Sequence, residues 1–203
     1  MPFAQIPSNG LTLSSTLLLV SLVLKNTIIT VDALMTQKEI AQSIIDQEGD
    51  YVMALKGNPN ALFEDVKLYF SESTGDDSQE NIEKNRGQVE IRTCFYSDDL
   101  TWLKARHQWP GIQGIFEVRC KILKDGVSDK EESRYYITSL KTNAKKAAEL
   151  ARSHWSIENH LHRTLDVHFH EDACQEHQKN AAANLSLLRK LALSLMKQVD
   201  QKT

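Results

Sequence analysis

Cysteine is scarce in this chain. Cys94, Cys120 and Cys174 are the only three in 203 residues, odd in number and far apart, with no Cys-x-x-Cys. That argues against a disulfide framework or a structural zinc site and fits a reducing cytoplasm. A long apolar run is also missing. The nearest thing to one, LTLSSTLLLVSLVL at 11–24, is too short to span a bilayer. No Lys or Arg precedes it and no convincing cleavage site follows, as a secretory signal would require. A buried helix or strand is expected there, and no membrane partner. Basic excess is lacking too. The formal charge is −3, and residues 141–203 hold ten Lys+Arg against seven Asp+Glu, which leaves the first 140 at −6. Proteins that live on phosphate contacts usually carry more positive charge than this. The mild basic bias of the last third is the only global hint of a nucleic-acid face. No internal repeat or low-complexity tract appears.

The best-organised stretch is NTIITVDALMTQKEIAQSIIDQEGDYVMALKGN at 26–58. TIITV is β-branched and continuous, as a strand buried on both faces would be. Thr36 with Glu39 three residues on has the pattern of a capping box, opening a helix with Ile40, Ile44 and Ile45 inward. Gly49 is expected to stop that helix before YVMAL forms the next strand. The unit is β-α-β, so the two strands should be parallel. Open parallel sheets bind ligands beyond the carboxyl ends of their strands. Asp32 falls at that end of the first strand, and Lys56-Gly57-Asn58 at the same end of the second. Singly, they read as a strand end and a turn; together on one edge, a ligand site is equally open.

A helix with Leu62, Phe63, Val66, Tyr69 and Phe70 inward should follow, then a polar surface loop at 71–88. Three β-like runs come next: VEIRTCFY (89–96), GIFEVRCKIL (114–123) and SRYYITSL (133–140), the last two flanking a turn-rich KDGVSDKEE as a hairpin. Glu90 and Arg92 should share one face of their strand, with Val89 and Ile91 on the other. Arg86 and Arg92 could reach a phosphate, although exposed strand arginines are more often merely solvated. From Asn143 the chain turns helical, and 180–198 reads as an amphipathic helix.

HWSIENHLHRTLDVHFHED at 154–172 holds five of the seven histidines and four carboxylates. At 3.6 residues per turn Ile157, Leu161 and Leu165 form one stripe, with His160 and Arg163 facing away. Glu158 lies on the edge of that stripe, and His154 and His162 lie one turn to either side. The run therefore does not converge five histidines; it aims one carboxylate near the core. Such a carboxylate is costly unless a partner or cation meets it. His168 and His170 alternate with Val167 and Phe169 and read as solvated strand residues.

TVDALMTQKEIAQSIIDQEGDYVMALKGNPNALFEDV, RYYITSL and HWSIENHLHRTLDVHFHED, spread in order over about 26–198, resemble the H-repeat-associated (ISAs-type) insertion-sequence transposases of bacteria. The resemblance implies an α/β, RNase H-like DDE core, incomplete at its N-terminus, with a β-rich insertion at about 89–140 between the second aspartate and the glutamate. Residues 1–25 are expected to stand apart as a divergent apolar segment. Asp32 matches the family's second catalytic aspartate and Glu158, in HWSIEN, its glutamate. These carboxylates would hold Mg²⁺ or Mn²⁺ to activate water or a 3′-hydroxyl for attack on a phosphodiester. Lys56, Asn58, Arg86, Arg92, His154 and His162 are the candidate DNA contacts. The implied partners are terminal-repeat DNA and further copies of the chain in a synaptic complex.

The departures are as specific. The family's first aspartate, in a DGK-like strand, has no counterpart, since Asp32 is the first acidic residue here. His154 stands where broader relatives carry Arg, and Leu165 where they carry Lys. The expectation is a transposase chain inactive by itself. Two alternatives stay open: a DNA-binding module without catalysis, and a zinc hydrolase built on His154-x₃-Glu158-x₃-His162.

Overall fold

The computed structural model describes residues 3–6, 24–57, 60–85, 88–104, 108–124, 127–155 and 185. The chain divides into two units, Met1–Arg152 and Ser153–Thr203, and the architecture below is that of the first.

The β-α-β unit is present. Strand β2 (Ile28–Val31) is buried at every position and runs parallel to β3 (Asp50–Leu55), with Ile28 opposite Asp50 and Val31 opposite Met53. A short strand β1 (Phe3–Ile6) lies parallel on the other side of β2. Helix α1 (Lys38–Asp46) connects β2 to β3 and buries Ile40, Ala41 and Ile44, with Ile45 packed against the same cluster.

Both ends of α1 differ from the expectation. Gln37, not Thr36, is the N-cap, and it makes no side-chain cap bond. The Thr36 hydroxyl donates to the carbonyl of Ala54 at 2.7 Å instead. The parallel register brings Ala54 beside the loop, and its partly buried carbonyl needs a donor more than an exposed helix end does. At the other end the left-handed residue is Glu48, at φ 57°, rather than Gly49. The Gly49 N–H donates to the Ile44 carbonyl at 3.0 Å and the Glu48 N–H to the Ile45 carbonyl at 3.0 Å, which makes a Schellman termination. Gly49 serves close packing: a Cβ there would sit 3.1 Å from the Leu24 carbonyl oxygen and 3.2 Å from Ile44.

Helix α2 (Asn60–Glu72) buries Leu62, Val66 and Phe70 as its spacing predicts. After it comes the largest correction. Residues read as a polar loop contain strand β4 (Asp77–Asn85), paired antiparallel with β5 (Gln88–Ser97) from Asp77–Tyr96 to Asn85–Gln88. β5 pairs with β6 (Gly114–Lys124) and β6 with β7 (Val127–Thr138). The hairpin between β6 and β7 is confirmed, but most of the stretch read as turn is strand, since β7 begins at Val127. In both places a charged sequence is held extended by ladder bonds rather than by an apolar face, with Glu83–Arg92 as a cross-strand ion pair in the first and the ion pairs of Glu132 lying within β7 in the second. β7 returns beside β3, giving one seven-stranded sheet in the order β1-β2-β3-β7-β6-β5-β4. A mixed sheet with helices on it fits an RNase H-like core.

Strand alternation divides the core between the two faces. Ile29, Val31, Tyr51, Met53, Ile115 and Ile137 form one cluster with the apolar sides of α1 and α2. Ile28, Val52, Cys94, Tyr96, Phe116 and Tyr136 form the other, covered by Ala144, Ala147, Leu150 and Ala151. The last four lie on a helix over residues 144–155, hereafter α3. Three of the four are alanines, so Leu150 is the one large side chain of this stripe. Among the described residues no helix is long and apolar enough to cross a membrane.

Candidate functional site

Asp32 follows β2 directly and is half-buried. Its backbone is still extended (φ −70°, ψ 158°) and its side chain caps a 3-10 turn, Ala33–Met35. The Ala33 N–H donates to Oδ1 at 2.7 Å, and the Met35 N–H donates to the Asp32 carbonyl at 2.9 Å. One carboxylate oxygen is thus fixed by the backbone, which sets the orientation of the other. Successive strand side chains point to opposite faces. Ile28 belongs to the cluster under α3, whereas Ile29 and Val31 belong to the cluster under α1 and α2.

The loop that presents Asp32 is anchored by Thr36, through its bond to Ala54 of β3. Sequence reasoning assigned Thr36 to a helix cap and so missed this contribution. The signal was faint: a threonine four residues beyond a strand end, beside a parallel neighbour. Lys56 lies one residue beyond β3 and is exposed, so the carboxyl ends of the two parallel strands do bring Asp32 and a lysine to one edge. Asn58 lies outside the described residues, as do Arg86, Glu158 and His162 and the whole Ile157–Leu161–Leu165 stripe.

Arg92 sits between two carboxylates, 3.2 Å from Glu83 and 2.7 Å from Glu90. Glu90 and Arg92 do share a face, as the alternation predicts. A phosphate reaching Arg92 would have to compete with both acids. Glu83 is held below its usual carboxylate range, first by a hydrogen bond from Arg152 and then by Arg92. His154 is on α3 and buried. Cys94 is buried, and burial pushes its thiol up to about 12. Cys120 donates to Glu90 at 3.0 Å and is pushed up to about 11, mainly by burial. Neither cysteine is poised as a nucleophile or a soft metal ligand at neutral pH.

The donor that Asp32 offers is a hard carboxylate oxygen, which suits Mg²⁺ or Mn²⁺ better than a thiophilic ion. Among the described residues no group of three or more His, Cys, Asp or Glu side chains converges on one point. Asp32 is therefore a single described ligand that fits such an ion, with its own orientation fixed from the backbone.

Residues 9–195 match a family model described as a transposase DDE domain. Similar chains include "Putative protein YbfL" of Escherichia coli (strain K12), 36% identical over 183 residues that make up 85% of this chain and 48% of that one. "H repeat-associated putative transposase YhhI" of the same strain is 35% identical over 183 residues, with the same coverage of 85% and 48%. "Putative transposase YncI" of Escherichia coli O157:H7 is 36% identical over 187 residues, covering 86% of this chain and 46% of that one. The chain spans about half the length of these curated relatives.

Proposed function

Since the chain belongs to the DDE transposase family, we propose that it is a bacterial insertion-sequence transposase chain in which Asp32 and Glu158 are the second and third catalytic carboxylates. The reaction is metal-dependent hydrolysis and strand transfer at the phosphodiesters of terminal-repeat DNA, in the cytoplasm and within a synaptic assembly of several copies. Residues 26–198 form the catalytic portion, with about 89–140 inserted into it as the strands that widen the sheet. The observation that carries the reading is the place of Asp32: it directly follows buried β2 at the carboxyl edge it shares with Lys56, with one oxygen held by the Ala33 N–H.

Asp32 and Glu158 would hold Mg²⁺ or Mn²⁺, which when bound activates a water or a 3′-hydroxyl and offsets charge at the attacked phosphorus. The work of the chain itself is orientation. The Ala33 N–H fixes one oxygen of Asp32, so little conformational freedom is lost when the other meets a cation. Lys56, at the same sheet edge, with Asn58, Arg86 and His162, would meet the DNA backbone and set its register without reading bases; His154 is buried and Arg92 is held by Glu83 and Glu90, so those two expected contacts are not kept. No acidic residue precedes Asp32 in the sequence, and Asp32 with Glu158 alone would hold a divalent ion weakly.

Iron-mediated cleavage tests the pairing. Fe²⁺ takes Mg²⁺ sites and, with ascorbate, cuts backbone near the ion. Cuts should fall close to both residue 32 and residue 158, and Asp32→Asn should abolish both. Cutting near only one of the two, or cutting unchanged in Asp32→Asn, overturns the assignment.

A further inference from the structure

The turn after Asp32 holds one side chain out in solvent between two that are buried. Ala33 and Met35 are 8% and 3% exposed, whereas Leu34 between them is 70% exposed. Its backbone has little freedom to change this. The Ala33 N–H donates to Asp32 Oδ1 at 2.7 Å and the Met35 N–H to the Asp32 carbonyl at 2.9 Å. The Thr36 N–H donates to the Ala33 carbonyl at 3.3 Å, and the Thr36 hydroxyl ties the end of the turn to Ala54. Turning Leu34 inward would break these bonds and pull Ala33 and Met35 out of burial. One short turn therefore fixes a carboxylate and an apolar projection relative to each other.

A single exposed leucine is ordinary on a protein surface. The surroundings of this one are not. Asp32 lies two residues before it, Lys38 and Glu39 are exposed just beyond it, and Lys56 is exposed at the same sheet edge. Leu34 is an apolar group set among charges. The centre of a protein–protein interface is depleted of charge, which disfavours a partner chain as the occupant. Duplex DNA has the matching arrangement, with charged phosphates outside and apolar base faces within, and apolar side chains can enter between its base steps. Reach agrees with this. Two residues span at most about 7 Å, or about two steps of roughly 3.4 Å along one strand. A phosphodiester held by an ion at Asp32 has its neighbouring bases within that distance.

We propose that Leu34 is an apolar wedge that enters the base stack beside the phosphodiester held at Asp32 and parts that step, bending the strand toward the ion. The inference deepens the reading of Asp32 as a metal ligand and rests on it; the position of Glu158 does not enter. Leu34 touches DNA but not the reacting atoms.

The test uses the full 203-residue chain and terminal-repeat DNA, with two readings on each complex. Fe²⁺ and ascorbate cut the DNA beside the bound ion, which locates the phosphate nearest Asp32. 2-Aminopurine, whose fluorescence rises when it leaves the stack, is placed singly at each position around that cut and read at saturating protein. The wild type should raise the fluorescence about threefold or more at one position within about three nucleotides of the cut. Leu34→Ala and Leu34→Ser should remove most of the rise while cutting persists, and Leu34→Met, which keeps the apolar bulk, should retain it. A rise unchanged in Leu34→Ala, or absent from the wild type where the DNA is cut, overturns the wedge alone. So does a Leu34→Ser chain that loses DNA altogether, or that changes its oligomeric state without DNA, since Leu34 then serves the fold or a contact between chains. DNA that is not cut, or is cut equally by Asp32→Asn, overturns the reading of Asp32, and the wedge falls with it.

Discussion

Thr36 and Ala54 are joined by a hydrogen bond of 2.7 Å across the ends of two parallel strands. It ties the loop that presents Asp32 to the strand that ends beside Lys56. The hydroxyl is buried, so no water replaces it if it is removed.

Thr36→Val should therefore destabilise the chain by about 0.5–1.5 kcal/mol, the net worth of one hydrogen bond to a partly buried carbonyl. Thr36→Ser keeps the hydroxyl and should lose less. Urea unfolding of the two variants checks the order, and equal losses would mean that the methyl group, not the hydroxyl, matters.

The end of α1 offers a pair of opposite outcomes. Glu48 holds φ 57°, a region costly for a residue with a Cβ, so Glu48→Gly should stabilise by about 0.5–1 kcal/mol. Its ion pair with Lys25 is largely exposed, at 61% and 67% of the two side chains, and losing it costs little. Gly49→Ala should instead destabilise by about 1–3 kcal/mol, because the added methyl crowds Leu24 and Ile44. Thermal melts of both variants read the two signs directly.

Glu83 gives the acid side of the stability profile a testable shape. Folding lowers its pKa below the ordinary 4.5, chiefly through Arg152. The unfolded chain then binds the proton more readily, so stability rises with pH in that range. The contribution is complete above 4.5 and is lost as pH falls through the lowered folded value. The pair is half-exposed, at 54% for Arg152 and 37% for Glu83, so solvent screening keeps the effect small. Wild type and Glu83→Gln should differ in denaturation midpoint at pH 7 and converge below pH 4.5, and a gap that widens with acid would reverse the sign.

Asp32→Asn should separate stability from metal binding. The amide oxygen can still accept from the Ala33 N–H, so unfolding free energy should stay within about 1 kcal/mol of the wild type. Mn²⁺ binding followed by water proton relaxation should weaken at least tenfold. A variant that unfolds before any metal is added would make Asp32 a structural residue.

The β-α-β unit was legible because its signals are local. Four continuous buried positions make a strand, an isoleucine stripe makes a helix, and together they put Asp32 at a carboxyl edge before any coordinates are considered. The composition of β4 carries no such signal. Its residues have little apolar face, and only pairing with β5 satisfies their backbone groups. Glu158 was singled out by its place beside an apolar stripe and by family resemblance, and it lies outside the described residues.

By itself, then, the sequence determined the elements whose side chains choose their own environment by burial, along with the family they belong to. Tertiary structure alone decided where polar groups find partners. Thr36 bonds Ala54 rather than a helix end, Glu48 rather than Gly49 takes the left-handed turn, and Asp77 reaches Ala144 across 67 residues. Hydrophobic burial depends on periodicity within a segment, which a sequence displays. A hydrogen bond depends on which distant atom arrives within about 3 Å, and only the completed sheet brings it there.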